Sequence, residues 1–551
     1  MGRMPLRGGS LALILCLLAA GALQAQQPAA PAAAGSRAAQ APGFYCPECR
    51  APVGALELVC PQCGTEFEPL VPRVRRGEGP PGAAAPGEPP PAERPAPPPG
   101  RGADTSPFPE AQPGVPPPPP RLLESAWPQI QPPAASRFGF GSYGRAGLLV
   151  DEELDGAPLL DIVDFRPRLS KLSYQELHFF YRDRIAELPV LIKTTVAADE
   201  KIFAFDADFD ARIAIRELFA EITPTERLAL WMGARMYRGD DIYLLDFWPL
   251  DDQNTLGGGV AWQLAAQHRL QLHAGFNRLT AGEPPFFFQR IEIPLEDAVG
   301  VRQAVFLDRN RLTASATWRW EPGGGWLVKA HGEFTFVPAA RRRLPDGVQT
   351  ERLPDDHGWL LGAQIGLEYG PQSFARLFAT YMRGLGAFDE LEVPFGFDTD
   401  LTVTEAWKLR LAAGGAHFGG WWGLHWGGYW QRFIDADPNA DRDDHDQFAL
   451  ALRPEVYLGE WFRFGLEGVW EGRRPNGIFP ETGDEEFGQL ASLTVLLGVA
   501  AGRGPYARPA LYAFAGGRWL DRGARLIASR RLAGEPDAQS AVFGFQAEWW
   551  F

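Results

Sequence analysis

Four cysteines fall in two Cys-Pro-x-Cys knuckles, Cys46-Pro-Glu-Cys49 and Cys60-Pro-Gln-Cys63, separated by ten residues. Each knuckle turns two thiolates inward, and two knuckles complete a tetrahedral four-sulfur site of the structural zinc type. Closed coordination leaves no position open for a substrate, so such a site suits docking rather than catalysis. An oxidising compartment could instead join the same thiols in two disulfides. Zinc is the expectation, because a module this small has little other core and structural zinc contributes ~10–16 kcal/mol in comparable peptides. A second set of ligand types is Asp435, Asp437, Asn439, Asp441, Asp443 and Asp446, which occupy positions 1, 3, 5, 7, 9 and 12 of a calcium loop. Ala440 stands where such loops carry Gly and Asp446 where they carry a bidentate Glu, so a solvated acidic loop is the first expectation and a calcium site the alternative.

No catalytic set emerges beside these. The eight His residues show no HExxH spacing, and no G-x-S-x-G elbow occurs. Gly139-x-Gly141-x-x-Gly144 matches a dinucleotide fingerprint, but no helix-forming stretch follows it and no βαβ pattern surrounds it. A non-enzymatic protein is expected. The net charge of -15 argues against nucleic acid and for an acidic surface or lumen.

The elements that would position these residues are legible in period two. From Ser540 to Phe551, residues Ala541, Phe543, Phe545, Ala547, Trp549 and Phe551 fall on one face, with Gly544, Gln546, Glu548 and Trp550 on the other. An oily face opposite a polar one, with aromatics at the end, suits a strand between lipid and a watery lumen. Trp422, Leu424, Trp426, Gly428 and Trp430 alternate in the same way with His425, Tyr429 and Gln431. So do Leu228, Leu230, Met232, Ala234 and Met236 with Trp231, Arg235 and Tyr237, and Leu511, Ala513 and Ala515 with Tyr512 and Phe514. The fold class read from these windows is all-β, a transmembrane antiparallel β-barrel.

Composition divides the rest of the chain. Arg3 and Arg7, the apolar run Leu11–Leu23 and the ending Leu23-Gln24-Ala25 read as a signal peptide over residues 1–25, and the apolar run is too short to span a bilayer as a helix. A disordered Ala/Gln/Pro tract (26–42), the zinc-ribbon-like module (43–70) and a Pro-rich linker (71–136) come before the barrel (137–551). As polyproline II at ~3.1 Å per residue, the linker would reach roughly 200 Å. The expected location is the outer membrane, with the N-terminal arm in the periplasm.

Four anchors resemble the maltoporin family of sugar porins: Phe140–Gly147, Ala234–Trp248, Arg508-Pro-Ala, and Phe543–Phe551. They occur in the family's order, from the first strand of the barrel to the last. The resemblance implies a homotrimer of eighteen-stranded barrels in outer-membrane lipid, each with a loop folded inward to narrow its pore. It also implies a slide of aromatic side chains beside a polar track. By motif matching, the slide positions are Tyr143, Tyr174, Tyr506 and Trp550, with Trp248 near the constriction, and the track is Arg145, Glu176, Arg216 and Asp246. Family members carry Arg where Gly239 stands, Tyr where Trp248 stands and Trp where Tyr506 stands. The loop that reaches a neighbouring pore is shortened around 206–211, and the disulfide of the first external loop is missing. The expected function is facilitated diffusion of maltooligosaccharide-like sugars. Alternatives are a general, weakly selective porin, or a barrel anchor whose zinc ribbon recruits an unknown periplasmic partner.

Overall fold

Eighteen antiparallel strands close into one barrel, each paired with the barrel strands before and after it in sequence. The last strand, Gln539–Trp550, pairs back onto the first, Phe138–Val150. The C-terminal residue completes this seam, because the Phe551 N–H donates to the Ser142 carbonyl at 3.0 Å and the Ser142 N–H to the Phe551 carbonyl at 3.1 Å. A closed ladder leaves no unpaired edge, which is what a sheet in hydrocarbon requires.

In this computed structural model, residues 137–551 are described apart from stretches within the connections, among them 154–159, 200–212, 278–289, 293–303, 344–349, 390–393, 438–443, 478–481 and 530–535. The chain divides into two compact units, Met1–Glu110 and Ala111–Phe551, and the barrel belongs to the second. In the first, only the backbone of a short hairpin is described, Phe44–Tyr45 paired with Pro52–Val53. The signal segment, the four knuckle cysteines and the Pro-rich linker lie outside the described residues. No described helix is long and apolar enough to cross a membrane.

The strand faces follow the alternation. Phe545 is 66% exposed while its neighbours Gly544 and Gln546 are buried, and Met232 is 75% exposed beside buried Trp231. Trp549 lies on the outer face across Gly144, where a Cβ would come within 2.2 Å of the indole. Gly139, Gly141 and Gly144 all lie within the first strand, so no phosphate-binding turn forms there.

Connections differ at the two rims. At one rim most turns are two or three residues long, such as 186–187, 226–227 and 459–461. Ala186 (φ 49°) and Glu187 (φ 68°) both take left-handed values, the geometry that matches strand twist in a two-residue hairpin. At the other rim the connections are longer, and two of them reach into the barrel: the first loop, between the first two strands, through its described residues 162–170, and the third loop, residues 239–251.

Those two loops divide the interior into unlike halves. The third loop carries the apolar run Ile242, Leu244, Leu245, Phe247 and Leu250, all at most 2% exposed. Its seat is a wall of small inward residues, Ala412, Gly414, Gly427, Ala449 and Ala451. The fit is close: a Cβ on Gly427 would stand 2.3 Å from Ile242 Cγ2, and one on Gly362 would stand 2.5 Å from Leu250 Cδ1. Burying each such side chain is worth roughly 1.5–3 kcal/mol, so the loop is a packed plug on this half. The helix Arg522–Ser529 adds Ala524, Ile527 and Ala528 to the same cluster. The opposite half keeps polar and charged inward residues and an open chamber.

Candidate functional site

The third loop is shaped by its own short bonds. Ile242 N–H donates to Phe247 O at 2.7 Å and Leu245 N–H to Ile242 O at 3.0 Å, which folds residues 242–247 into one compact turn. Asp246 ends that turn in the left-handed region, which Asp tolerates better than most residues. From there its carboxylate accepts Arg145 Nη1 at 3.1 Å and Arg168 Nη1 at 2.7 Å.

Arg168 comes from the first loop and joins the two loops to the wall. Its Nε donates to Glu548 at 2.9 Å, and its Nη2 donates to Glu548 and to the Tyr143 hydroxyl. Glu548 also accepts Arg508 Nε at 2.8 Å and the Tyr243 hydroxyl at 2.6 Å. Two carboxylates, three guanidiniums and two phenols therefore satisfy one another across five segments. Nearby, the rings of Phe165 and Phe247 stack at 3.7 Å, and Asp164 accepts Gln431 and Gln447, each at 2.6 Å.

Two neighbouring acids in the third loop sit in contrasting environments. Burial alone would raise the Asp240 carboxyl, but Arg376 at 3.1 Å and Lys329 at 2.7 Å hold it well below the usual carboxylate range. Burial pushes Asp241 up to about 6; Arg376 and Arg168 oppose the rise, while Asp246 and Asp240 add to it.

Most of the positions expected on a slide come together. The rings of Tyr174 and Tyr143 lie 6.1 Å apart, Tyr143 is the direct cross-strand partner of Trp550, and Trp550 lies 6.4 Å from Tyr506. Trp550 is half-buried and carries the Arg508 guanidinium 4.4 Å over its ring. Trp248 carries the Arg238 guanidinium 4.1 Å over its ring. Of the expected track, Glu176 and Arg216 pair at 3.5 Å, and the Tyr174 hydroxyl bonds both. Arg145 and Asp246 are also together, but both are engaged by the loop network. Tyr143 is 1% exposed, so its ring is largely covered.

Gly239 has a steric reason to lack a side chain. A Cβ there would stand 1.5 Å from the Asp251 carboxylate oxygen. Arg238 supplies the cation one residue earlier and pairs with Asp252 at 2.9 Å.

The open chamber has a volume of about 360 Å³ and reaches from Tyr143 and Trp550 across the first nine strands to Lys329. That is the scale of a small-ligand pocket. Its walls alternate ion pairs with rings: Lys193–Glu217 at 2.5 Å, Arg235–Glu221 at 2.9 Å, and Arg235 over Phe219 at 4.6 Å.

The acidic segment is only partly visible, since Asn439, Asp441 and Asp443 lie outside the described residues. Asp435 accepts the Asp437 N–H at 2.9 Å, and Asp446 lies 4.0 Å from Arg432. Among the described residues no group of three or more His, Cys, Asp or Glu side chains gathers to hold a metal. The shortened loop at 206–211 also lies outside them.

Sequence reasoning missed Arg168, Tyr243 and Glu548 as one network. Glu548 was visible on the polar face of the last strand, and Arg508 lay within a recognised anchor. Arg168 sits in a loop with no periodicity to mark it.

A family model described as LamB porin matches residues 189–551. Among solved structures, the outer membrane channel DcaP of Acinetobacter baumannii is 9% identical at a TM-score of 0.41, with 76% of this chain and 99% of that one covered. OpdL of Pseudomonas aeruginosa is 12% identical at 0.40, covering 76% and 99%. OmpT of Vibrio cholerae is 12% identical at 0.33, covering 76% and 100%. No curated protein matches the chain.

Proposed function

The chain belongs to the LamB porin family, and from that premise we propose that this outer-membrane porin passes maltooligosaccharide-like sugars by facilitated diffusion. One observation carries the reading: the aromatic strip Tyr174–Tyr143–Trp550–Tyr506 runs beside the charged chamber. Apolar sugar faces stack on the exposed ring surface, and hydroxyls exchange water for carboxylate and guanidinium partners. Covering ~40 Å² of ring contributes about 1 kcal/mol at ~25 cal/mol/Å². Several weak sites of that size permit entry and escape alike, as conduction requires. The functional unit in this reading is a trimer, which would migrate as such in SDS until boiled.

The covered ring of Tyr143 and the engagement of Arg145 and Asp246 by Arg168 favour a second reading, a weakly selective porin. Single-channel recording with a panel of sugars separates the two. A sugar porin shows block of ion current that grows with sugar concentration and depends on the sugar, whereas a general porin shows none.

A further inference from the structure

The chamber wall carries more positive charge than its own acids balance. Seven Arg and Lys residues line it against four Asp and Glu. The excess is not scattered, because strand register places Arg269 directly opposite Arg319, and Arg319 directly opposite Lys329. All three face the chamber, so three cations stand side by side on adjacent strands. Like charges directly opposed across a sheet destabilise it unless something neutralises them.

The available neutralisation is incomplete. Lys329 is held by Asp240 at 2.7 Å and Arg319 by Glu321 at 2.5 Å. Among the described residues, no carboxylate pairs with Arg269, nor with Arg182, which lines the same chamber. A guanidinium presents a planar fork that matches a carboxylate with two parallel hydrogen bonds. Partly exposed rings stand in the same wall, Tyr237 among the cations and Trp550 at the margin, while Phe180 and Phe219 are largely covered. The site therefore offers a fork for a carboxylate and flat apolar surfaces for the body that bears it.

We propose that the chamber is a binding site for acidic sugars, uronate-bearing oligosaccharides whose successive carboxylates are taken by Arg269 and by Arg182, five strands apart on the wall, while their ring faces lie on the aromatic side chains. This rests on the carbohydrate-porin reading and narrows its substrate class. Binding supplies the anion that the row of cations lacks, and a neutral sugar of equal length binds more weakly. An aromatic acid shares the carboxylate and the flat face, so it belongs among the ligands compared.

The test is current block in planar bilayers by the full-length protein. Four ligands are compared: galacturonate trimer, maltotriose, a reduced galacturonate trimer without charge, and benzoate. The expected result is that galacturonate trimer blocks at least tenfold more tightly than either neutral trimer, and less so at high salt. Arg269→Gln and Arg182→Gln should each weaken its block about tenfold and weaken maltotriose block far less, consistent with loss of a charge-assisted bond. Heat-shifted migration in SDS checks that each variant is folded. If acidic and neutral trimers block equally, the inference is overturned and the sugar reading stands. If no trimer blocks, the sugar reading itself fails. If benzoate competes as well as the galacturonate trimer, the site recognises a carboxylate alone and the assignment to sugars is overturned.

Discussion

Replacing Glu548 with Gln should unlatch the two inward loops from the barrel wall. Glu548 is 2% exposed and accepts from Arg168, Arg508 and Tyr243, with N–O and O–O distances of 2.5–2.9 Å. Gln keeps the shape and one acceptor, but removes the negative charge that two buried guanidiniums share. Stripping one partner from a buried ion pair costs about 3–5 kcal/mol. Arg168 keeps Asp246 at 2.7 Å, so the low end applies, about 3 kcal/mol. At 1.4 kcal/mol per decade that raises the population of the released loop roughly a hundredfold. In single-channel records, Glu548→Gln should show frequent excursions to higher conductance that the parent protein rarely makes. Glu467→Gln is the control, because Glu467 takes its hydrogen bond and its ion pair, at 2.6 Å, from Arg453 on the adjacent strand and from neither loop. It should lower barrel stability without adding excursions. A folded Glu548→Gln channel as quiet as the parent, or equal flicker in the Glu467→Gln control, would refute the latch.

Three further expectations follow from particular contacts. Gly427→Leu would drive carbon into Ile242, so the temperature of the heat-induced gel shift should fall, at a cost of about 1–3 kcal/mol; an unchanged shift temperature would mean that the third loop is not seated there. Because burial raises the Asp241 carboxyl to about 6, the folded state holds its proton more tightly than the unfolded state, and stability is lost as pH rises from about 4 to 6 by at most about 1.4 kcal/mol per unit. Asp241→Asn should remove that slope in thermal unfolding across pH 4–7, and an identical slope in the variant would count against it. The N-terminal module should hold one zinc per chain through Cys46, Cys49, Cys60 and Cys63, measured by metal analysis of protein taken from the periplasmic side; two disulfides and no zinc would contradict this.

The barrel was legible because lipid and lumen impose opposite demands on alternate residues. Trp549 lying over Gly144 and Trp550 facing the chamber follow from a period-two reading of twelve residues. The plug was not legible in the same way. Ile242-Tyr-Leu-Leu-Asp-Phe lies in a loop, and its partners Ala412, Gly427 and Ala449 are small residues on distant strands. Small inward residues carry no signal until the loop that fills the space above them is known. The network around Glu548 was hidden for a related reason, since Arg168 reaches it across 380 positions of sequence from a segment without regular structure. The aromatic strip lay between these extremes: each member was visible, but the adjacency of Tyr174, Tyr143 and Trp550 came from strand register and that of Tyr506 from the fold of the 501–509 connection.

Sugar block of the pore in two neighbouring tryptophan variants tests the central claim most directly. Trp550 faces the chamber between Tyr143 and Tyr506, and Trp549 lies on the outer face with its indole N–H 3.0 Å from Ser142 Oγ. Trp550→Ala should weaken block by a bound oligosaccharide roughly tenfold, the equivalent of ~1.4 kcal/mol, while Trp549→Ala leaves sugar affinity alone and at most lowers barrel stability. A one-residue slip would exchange the two faces, so the contrast tests register and function together. Equal block in both variants and the parent, or no block of the parent by any sugar, would contradict the account.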